Sequence, residues 1–130
     1  MKFLFDTNAV IALFKAHGGL LTRVRQYQPE DFAVSSLVAH ELYFGAYRSQ
    51  RTVENLARVE ALQFEVLEFD REDARRAGEL RALLAASGSP IGPYDFLIAG
   101  QAIARGLTLI SRNIGEFQRV GGMRVEDWEA

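Results

Sequence analysis

Cysteine is absent from the sequence, which removes disulfides, thiolate zinc sites and thiol nucleophiles together. Proline is scarce, with three residues in 130. No apolar run approaches the ~20 residues that a membrane-spanning helix requires. Charge of one sign is not in excess either: 15 basic and 17 acidic side chains give a formal charge of −2, without the basic surplus that marks many nucleic-acid binders. The opening residues carry neither a basic region nor a long apolar stretch of the secretory kind, so a cytoplasmic location is expected. What is present is ordinary for a globular protein, with 48% hydrophobic and 25% charged residues, and this excludes a disordered chain. A chain of this length withdraws roughly two-thirds of its unfolded surface from water, enough for one core. Residues 1–130 therefore read as a single domain, without linker, repeat or low-complexity tract. The basic set is 13 Arg against 2 Lys. Arginine forks suit phosphate oxygens, and a solvated surface equally well.

Apolar spacing predicts short strands alternating with helices. Residues 2–5 form an apolar run ending in Asp6, and 7–14 show helical spacing through Val10, Ile11 and Phe14. Gly18 and Gly19 break the pattern, a second helix covers 20–27, and Pro29 closes it. Residues 32–34 read as a strand, Ser35 or Ser36 caps a helix to about residue 49, and a separate helix covers 51–62. Alternation over 65–69 predicts a half-buried strand, after which Asp70 caps a long helix to about residue 86. Residues 87–90 are the clearest loop; Pro93 then opens a helix over 94–104, with Gly106 as its stop. A strand over 107–111, a helical turn over 113–117 and a final strand over 123–125 complete the chain. The alternation gives an α/β fold with a small, mainly parallel central sheet and helices on both faces. In such sheets ligands gather outside the carboxyl ends of the strands, where Asp6 and the 113–116 turn fall.

Four carboxylates occupy positions that invite chemistry. Glu41 has Leu37, Val38, Phe44 and Gly45 as its helical neighbours, so a carboxylate is set into an apolar stripe. There it must be protonated, paired with a base or bound to a cation, unless it escapes at the edge of the stripe. Asp95 shares its face with Ile98, Ala99 and Ala102, and lies near a helix start where the macrodipole also favours aspartate. Asp6 suits a helix N-cap equally, and Asn113 with Glu116 has the spacing of a capping box. Each residue thus has a structural reading beside the chemical one. Having four of them gives the chemical reading its weight, because like charges held together call for divalent cations with oxygen ligands, Mg²⁺ or Mn²⁺ rather than zinc. Such cations activate water for displacement at a phosphodiester. With those four acids bound to metal, 15 basic side chains would face 13 acidic ones. Thr7 and Asn8 could supply a hydroxyl or amide beside Asp6, or cap the helix, and Arg112 is a candidate phosphate clamp. His17 and His40 show no metal-ligand spacing and read as structural or surface residues. Apolar stripes around 37–44 and 56–62 suit the core first and a dimer surface second.

Several segments, taken in order, carry a resemblance. They are Phe5-Asp6-Thr7-Asn8, Glu41-Leu42 with Gly45 behind it, Pro90-Ile91-Gly92-Pro93-Tyr94-Asp95-Phe96-Leu97-Ile98-Ala99, and Asn113-Ile114-Gly115-Glu116-Phe117 followed by Val120, Gly121 and Asp127-Trp128. Together they resemble the PIN-domain ribonuclease toxins of the VapC type, one half of a bacterial or archaeal toxin–antitoxin pair, over essentially the whole chain. The resemblance implies an α/β/α sandwich, Mg²⁺- or Mn²⁺-dependent endonucleolytic hydrolysis of RNA by metal-activated water, and structured targets such as tRNA. It also implies a homodimer and a cognate VapB-type antitoxin over the acidic pocket, with no membrane partner. Asp6, Glu41 and Asp95 fall on the family's three central acids. Many members place an aspartate where this chain has Asn113, and Glu116 of the same turn takes the fourth acidic position; Thr7, Asn8, Asn113 and Arg112 take supporting or substrate-binding places. Rival readings are a PIN-fold nuclease of RNA processing, an inactive PIN-like module that binds RNA or protein, and an aspartate-nucleophile phosphatase. The last requires a second acid two residues after Asp6, where this chain has Asn8.

Overall fold

The computed structural model describes residues 1–88 and 91–130; of the loop expected over 87–90, Ser89 and Pro90 lie outside the described residues. Strand β1 (Phe3–Phe5) passes straight into helix α1 (Thr7–Phe14) because Asp6 is extended and its carboxylate accepts the Ala9 N–H at 2.8 Å. The expected break at Gly18-Gly19 is displaced. Helix α2 (Gly18–Val24) contains both glycines, and the interruption falls at Ala16, held at φ 57°, and at His17, whose Nδ1 accepts the Leu20 N–H. A 3-10 turn (Pro29–Asp31) leads into β2 (Phe32–Ser35). Ser35 caps α3 (Ser36–Arg48) by accepting the Leu37 N–H. Then come α4 (Thr52–Glu60), β3 (Glu65–Leu67) and α5 (Arg71–Ala86), the last opened by a reciprocal box between Asp70 and Asp73. Helix α6 (Asp95–Arg105) ends at Gly106, which takes the left-handed conformation at φ 65°. Strand β4 (Thr108–Ile110), α7 (Ile114–Phe117) and β5 (Val125–Glu126) complete the described elements.

All five described strands are parallel, in the order β3-β2-β1-β4-β5, in line with the expected parallel sheet. The strands step outward from β1 to β2 to β3, and the chain then crosses back through α5 and α6 to β4 on the other side of β1. That reversal creates the switch point at which open parallel sheets present a ligand crevice. Register sharpens the position: Phe5 lies opposite Val34 on one side and Ile110 on the other, so Asp6, Ser35 and Ser111 emerge together at the carboxyl edge. Strands covered on both faces are apolar throughout, and Leu4, Phe5, Val34, Leu109 and Ile110 are fully buried. Trp128 ties the end of the chain to this core. Its ring lies 4.8 Å from that of Phe3 and stacks on Tyr27, and its N–H donates to Glu126 at 3.0 Å.

Helices α5 and α6 make the most extensive helix pair. Gly100 permits their approach, since a β-carbon there would stand 2.6 Å from the Ala77 backbone. Arg105 and Gln101 of α6 then grip the buried carboxylate of Asp73 at 3.0–3.2 Å. The grip fixes the helix that begins with Asp95. The stripe expected around 37–44 is core only in part: Val38, Leu42 and Ala46 face inward, whereas Phe44 is 56% exposed. No helix among the described residues is long and apolar enough to cross a membrane.

Candidate active site

Asp6, Thr7, Asn8, Glu41, Asp95 and Asn113 share a cavity of about 220 Å³ at the carboxyl edge of the sheet, with Gly92, Pro93, Tyr94 and Ile98 completing its wall. Residues distant in sequence meet there because β1 delivers Asp6, α3 delivers Glu41 and the start of α6 delivers Asp95. A larger cavity, about 410 Å³, lies between α1, α2 and α4, but no carboxylate lines it and it offers no comparable chemistry.

Each acid is held differently. Asp6 is 5% exposed, and burial raises its pKa; hydrogen bonds from Ser111 and the Ala9 N–H and the positive charge of Arg112 oppose that rise, while the charge of Glu129 adds to it. The outcome remains above the usual aspartate range. Glu41 is half-buried at the margin of α3, with Phe44 and Gly45 turned to solvent rather than enclosing it. The Thr7 hydroxyl donates to its Oε1 at 2.9 Å, so Thr7 orients Glu41 across two elements. Glu116 is not part of a capping box. Asn113 makes no side-chain bond to α7, and its own N–H donates to Ser111 Oγ at 3.0 Å. The carboxylate of Glu116 instead reaches across the site, where Oε1 accepts the Gly92 N–H at 2.9 Å and the group stands near enough to Asp95 to raise its pKa.

Asp95 stands at the convergence. Burial first, then the charge and hydrogen bond of Glu116, then the charges of Asp6 and Glu41 push it up from 3.8 to about 6. All four acids are therefore within electrostatic reach of one point, although Glu116 does not itself line the cavity wall. Arg112 is exposed and outside the wall, close enough for its charge to act on Asp6. His17 caps α2 and His40 is exposed, in keeping with structural and surface places.

The donor set is oxygen alone, and its charge is uncompensated at Asp95. Both properties fit a hard divalent cation. Among the described residues no three acidic, histidine or cysteine side chains stand close enough together to hold a metal ion by themselves. That is compatible with Mg²⁺ or Mn²⁺, since Mg²⁺ keeps several waters and takes one or two carboxylates together with substrate phosphate. Two participants escape a reading of local sequence pattern. Ser111 comes beside Asp6 only through the pairing of β1 with β4, and Gly92, although part of the Pro90–Ala99 segment, has no local pattern that points to Glu116.

Comparison with known proteins finds relatives over nearly the whole chain. The PIN domain profile matches residues 3–123. The chain is 39% identical over 130 residues to the tRNA(fMet)-specific endonuclease VapC of Shigella flexneri, covering 98% of both proteins. It is 35% identical over 131 residues to the Ribonuclease VapC2 of Haemophilus influenzae (strain ATCC 51907 / DSM 11121 / KW20 / Rd), again over 98% of both. Among solved structures it superposes on a chain of DNA-bound VapBC from Salmonella typhimurium with a TM-score of 0.92 and 38% identity, over 98% of each chain. A chain of VapBC-1 from nontypeable Haemophilus influenzae matches over the full length of both, with a TM-score of 0.90 and 30% identity.

Proposed function

The chain belongs to the PIN domain family, in its VapC branch, and from that premise we propose that it is the metal-dependent endoribonuclease toxin of a VapBC-type pair. The observation that carries the proposal is Asp95, ringed by Asp6, Glu41 and Glu116 and raised by their charge at the sheet's switch point. Asp6, Glu41 and Asp95 would hold Mg²⁺ or Mn²⁺ through their carboxylate oxygens, and Glu116, tethered to Gly92, would complete the set. When bound, the cation supplies Lewis-acid polarisation of the phosphodiester and a water of lowered pKa.

The chain's own residues do the rest. Thr7 holds Glu41 in its working orientation, and Ser111 and the Ala9 N–H hold Asp6. Asn8 and Asn113 offer amide donors from the cavity wall to the phosphate oxygens, and Arg112 offers a bidentate fork at its rim. The tRNA(fMet) specificity in the name of the Shigella flexneri relative supports tRNA as the substrate class. The VapBC assemblies support a VapB-type antitoxin as partner. We take all 130 residues as one PIN unit acting as a homodimer in the cytoplasm, where its RNA lies.

Incubation of the protein, purified away from any partner, with total cellular RNA and Mg²⁺ or Mn²⁺ is expected to give discrete fragments. Both EDTA and Asp6→Asn are expected to abolish them. RNA left intact in the presence of metal, or cutting that persists in Asp6→Asn, would remove the catalytic reading.

A further inference from the structure

On the reading that the acids hold a divalent cation, we propose that Gly92 is the positioning residue of the cluster, its N–H setting Glu116 and its carbonyl and missing side chain setting Asp95. The Gly92 N–H donates to Glu116 Oε1 at 2.9 Å. Its carbonyl accepts from the Asp95 N–H at 3.1 Å and the Phe96 N–H at 3.4 Å, which fixes the first turn of α6. The two peptides that meet at Gly92 thus join acids carried by two separate helices. The side chain it lacks matters as well. A β-carbon at this position would stand 3.0 Å from Asp95 Oδ2 and 3.6 Å from its Cγ, while Glu116 Oε1 would be at an ordinary 4.0 Å. The Asp95 carboxylate would have to shift by a few tenths of an ångström and Glu116 would not.

Glycine is not needed here for backbone freedom, because Gly92 lies outside the left-handed region in which Gly88, Gly106 and Gly122 are found. The requirement is one of space beside a carboxylate. Alanine at position 92 therefore disturbs the aim of one acid and leaves the tether to the other, which separates a positioning role from a general one in the fold. Residues that orient metal ligands without touching the metal typically change affinity by about 10- to 100-fold when altered.

The test is calorimetric titration of Mn²⁺ into the whole chain without RNA, comparing wild type, Gly92→Ala, Asp95→Asn and the double variant. Gly92→Ala is expected to weaken Mn²⁺ binding about 10- to 100-fold with the metal-free melting temperature close to wild type. The double variant is expected to bind no more weakly than Asp95→Asn alone, since Gly92 acts through that carboxylate. Equal Mn²⁺ affinity in wild type and Gly92→Ala, or losses that multiply in the double variant, would overturn the proposal. Should Gly92→Ala not fold, Glu116→Gln and Glu116→Ala carry the test through the tether. Glutamine keeps an oxygen for the Gly92 N–H, so it should retain more Mn²⁺ affinity than alanine, and equal losses would count against Gly92. A wild type that binds no Mn²⁺ would overturn the metal-site reading and this inference together. A wild type that binds Mn²⁺ and cuts RNA, matched by Gly92→Ala, would overturn the role of Gly92 alone.

Discussion

Asp73, in the first turn of α5 and buried, and Asp95, the first residue of α6 and half-buried, lie on helices that pack against each other, yet their surroundings are opposite. Around Asp73 the chain has gathered positive and donor groups: the Arg105 guanidinium, the Gln101 amide and the Asp70 N–H. Burial pushes the Asp73 carboxyl up, but the bond from Arg105 and the other donors outweigh it and hold the group below the usual range. Around Asp95 the chain has gathered more acids. One carboxylate is compensated inside the fold and strengthens it. On the proposed function the other takes its compensation from a bound cation, at the expense of stability in the metal-free state, which is how active sites commonly depart from the rules that govern the rest of a chain.

Neutralising Asp95 gives the largest expected effect on that contrast. Asp95→Asn is expected to lower RNA cleavage about 10²- to 10³-fold, the scale of removing one preorganised electrostatic contact, as measured by single-turnover kinetics. Next comes Arg105→Ala, which leaves the Asp73 carboxylate buried without its cation. Loss of about 3 kcal/mol is expected, with the melting temperature lowered by about 10 °C and cleavage retained below that transition. Retained stability would show that Arg105 compensates little.

The dependence on pH follows from the two carboxyls with opposite signs. Asp95 is raised from 3.8 to about 6, so the folded state holds a proton that the unfolded state has released, and its contribution falls as pH rises from about 4 to about 6. Asp73 is lowered, so its contribution is present above 3.8 and is lost as pH falls through its folded value. Metal-free protein is therefore expected to melt highest at about pH 4 to 5 and to melt lower towards neutrality. A saturating divalent cation is expected to flatten the neutral side of the profile. The smallest effect is that of Thr7→Val, which removes the bond to Glu41 and is expected to lower metal-dependent cleavage about tenfold with little change in melting.

Local signals in the sequence carried most of the fold. Asp6, Ser35 and Asp70 cap helices as their positions indicate, and Gly106 ends α6 as a left-handed stop. Asp6, Glu41 and Asp95 were legible as site candidates because carboxylates at strand ends or on partly apolar helix faces are anomalous before any partner is known. Long-range pairings were not legible. Glu116 has capping-box spacing from Asn113, yet its partner is Gly92, 24 residues away, and the capture of Asp73 by Arg105 spans 32 residues. Periodicity reports which face of a helix is apolar and not what meets it, so Phe44 looked inward from its spacing while α3 buries Val38, Leu42 and Ala46 instead. The break in the first helical region was likewise assigned to Gly18-Gly19, since a strained non-glycine such as Ala16 leaves no mark in composition.

The claim that the acids at the sheet's switch point keep their charge for a divalent cation is tested most directly by melting wild type and Asp95→Asn at neutral pH, each with and without Mn²⁺. Repulsion among Asp6, Glu41, Asp95 and Glu116 predicts that Asp95→Asn melts higher than wild type without the cation and lower with it, because only wild type gains the full binding energy. An order of melting temperatures that stays the same in both conditions would contradict it.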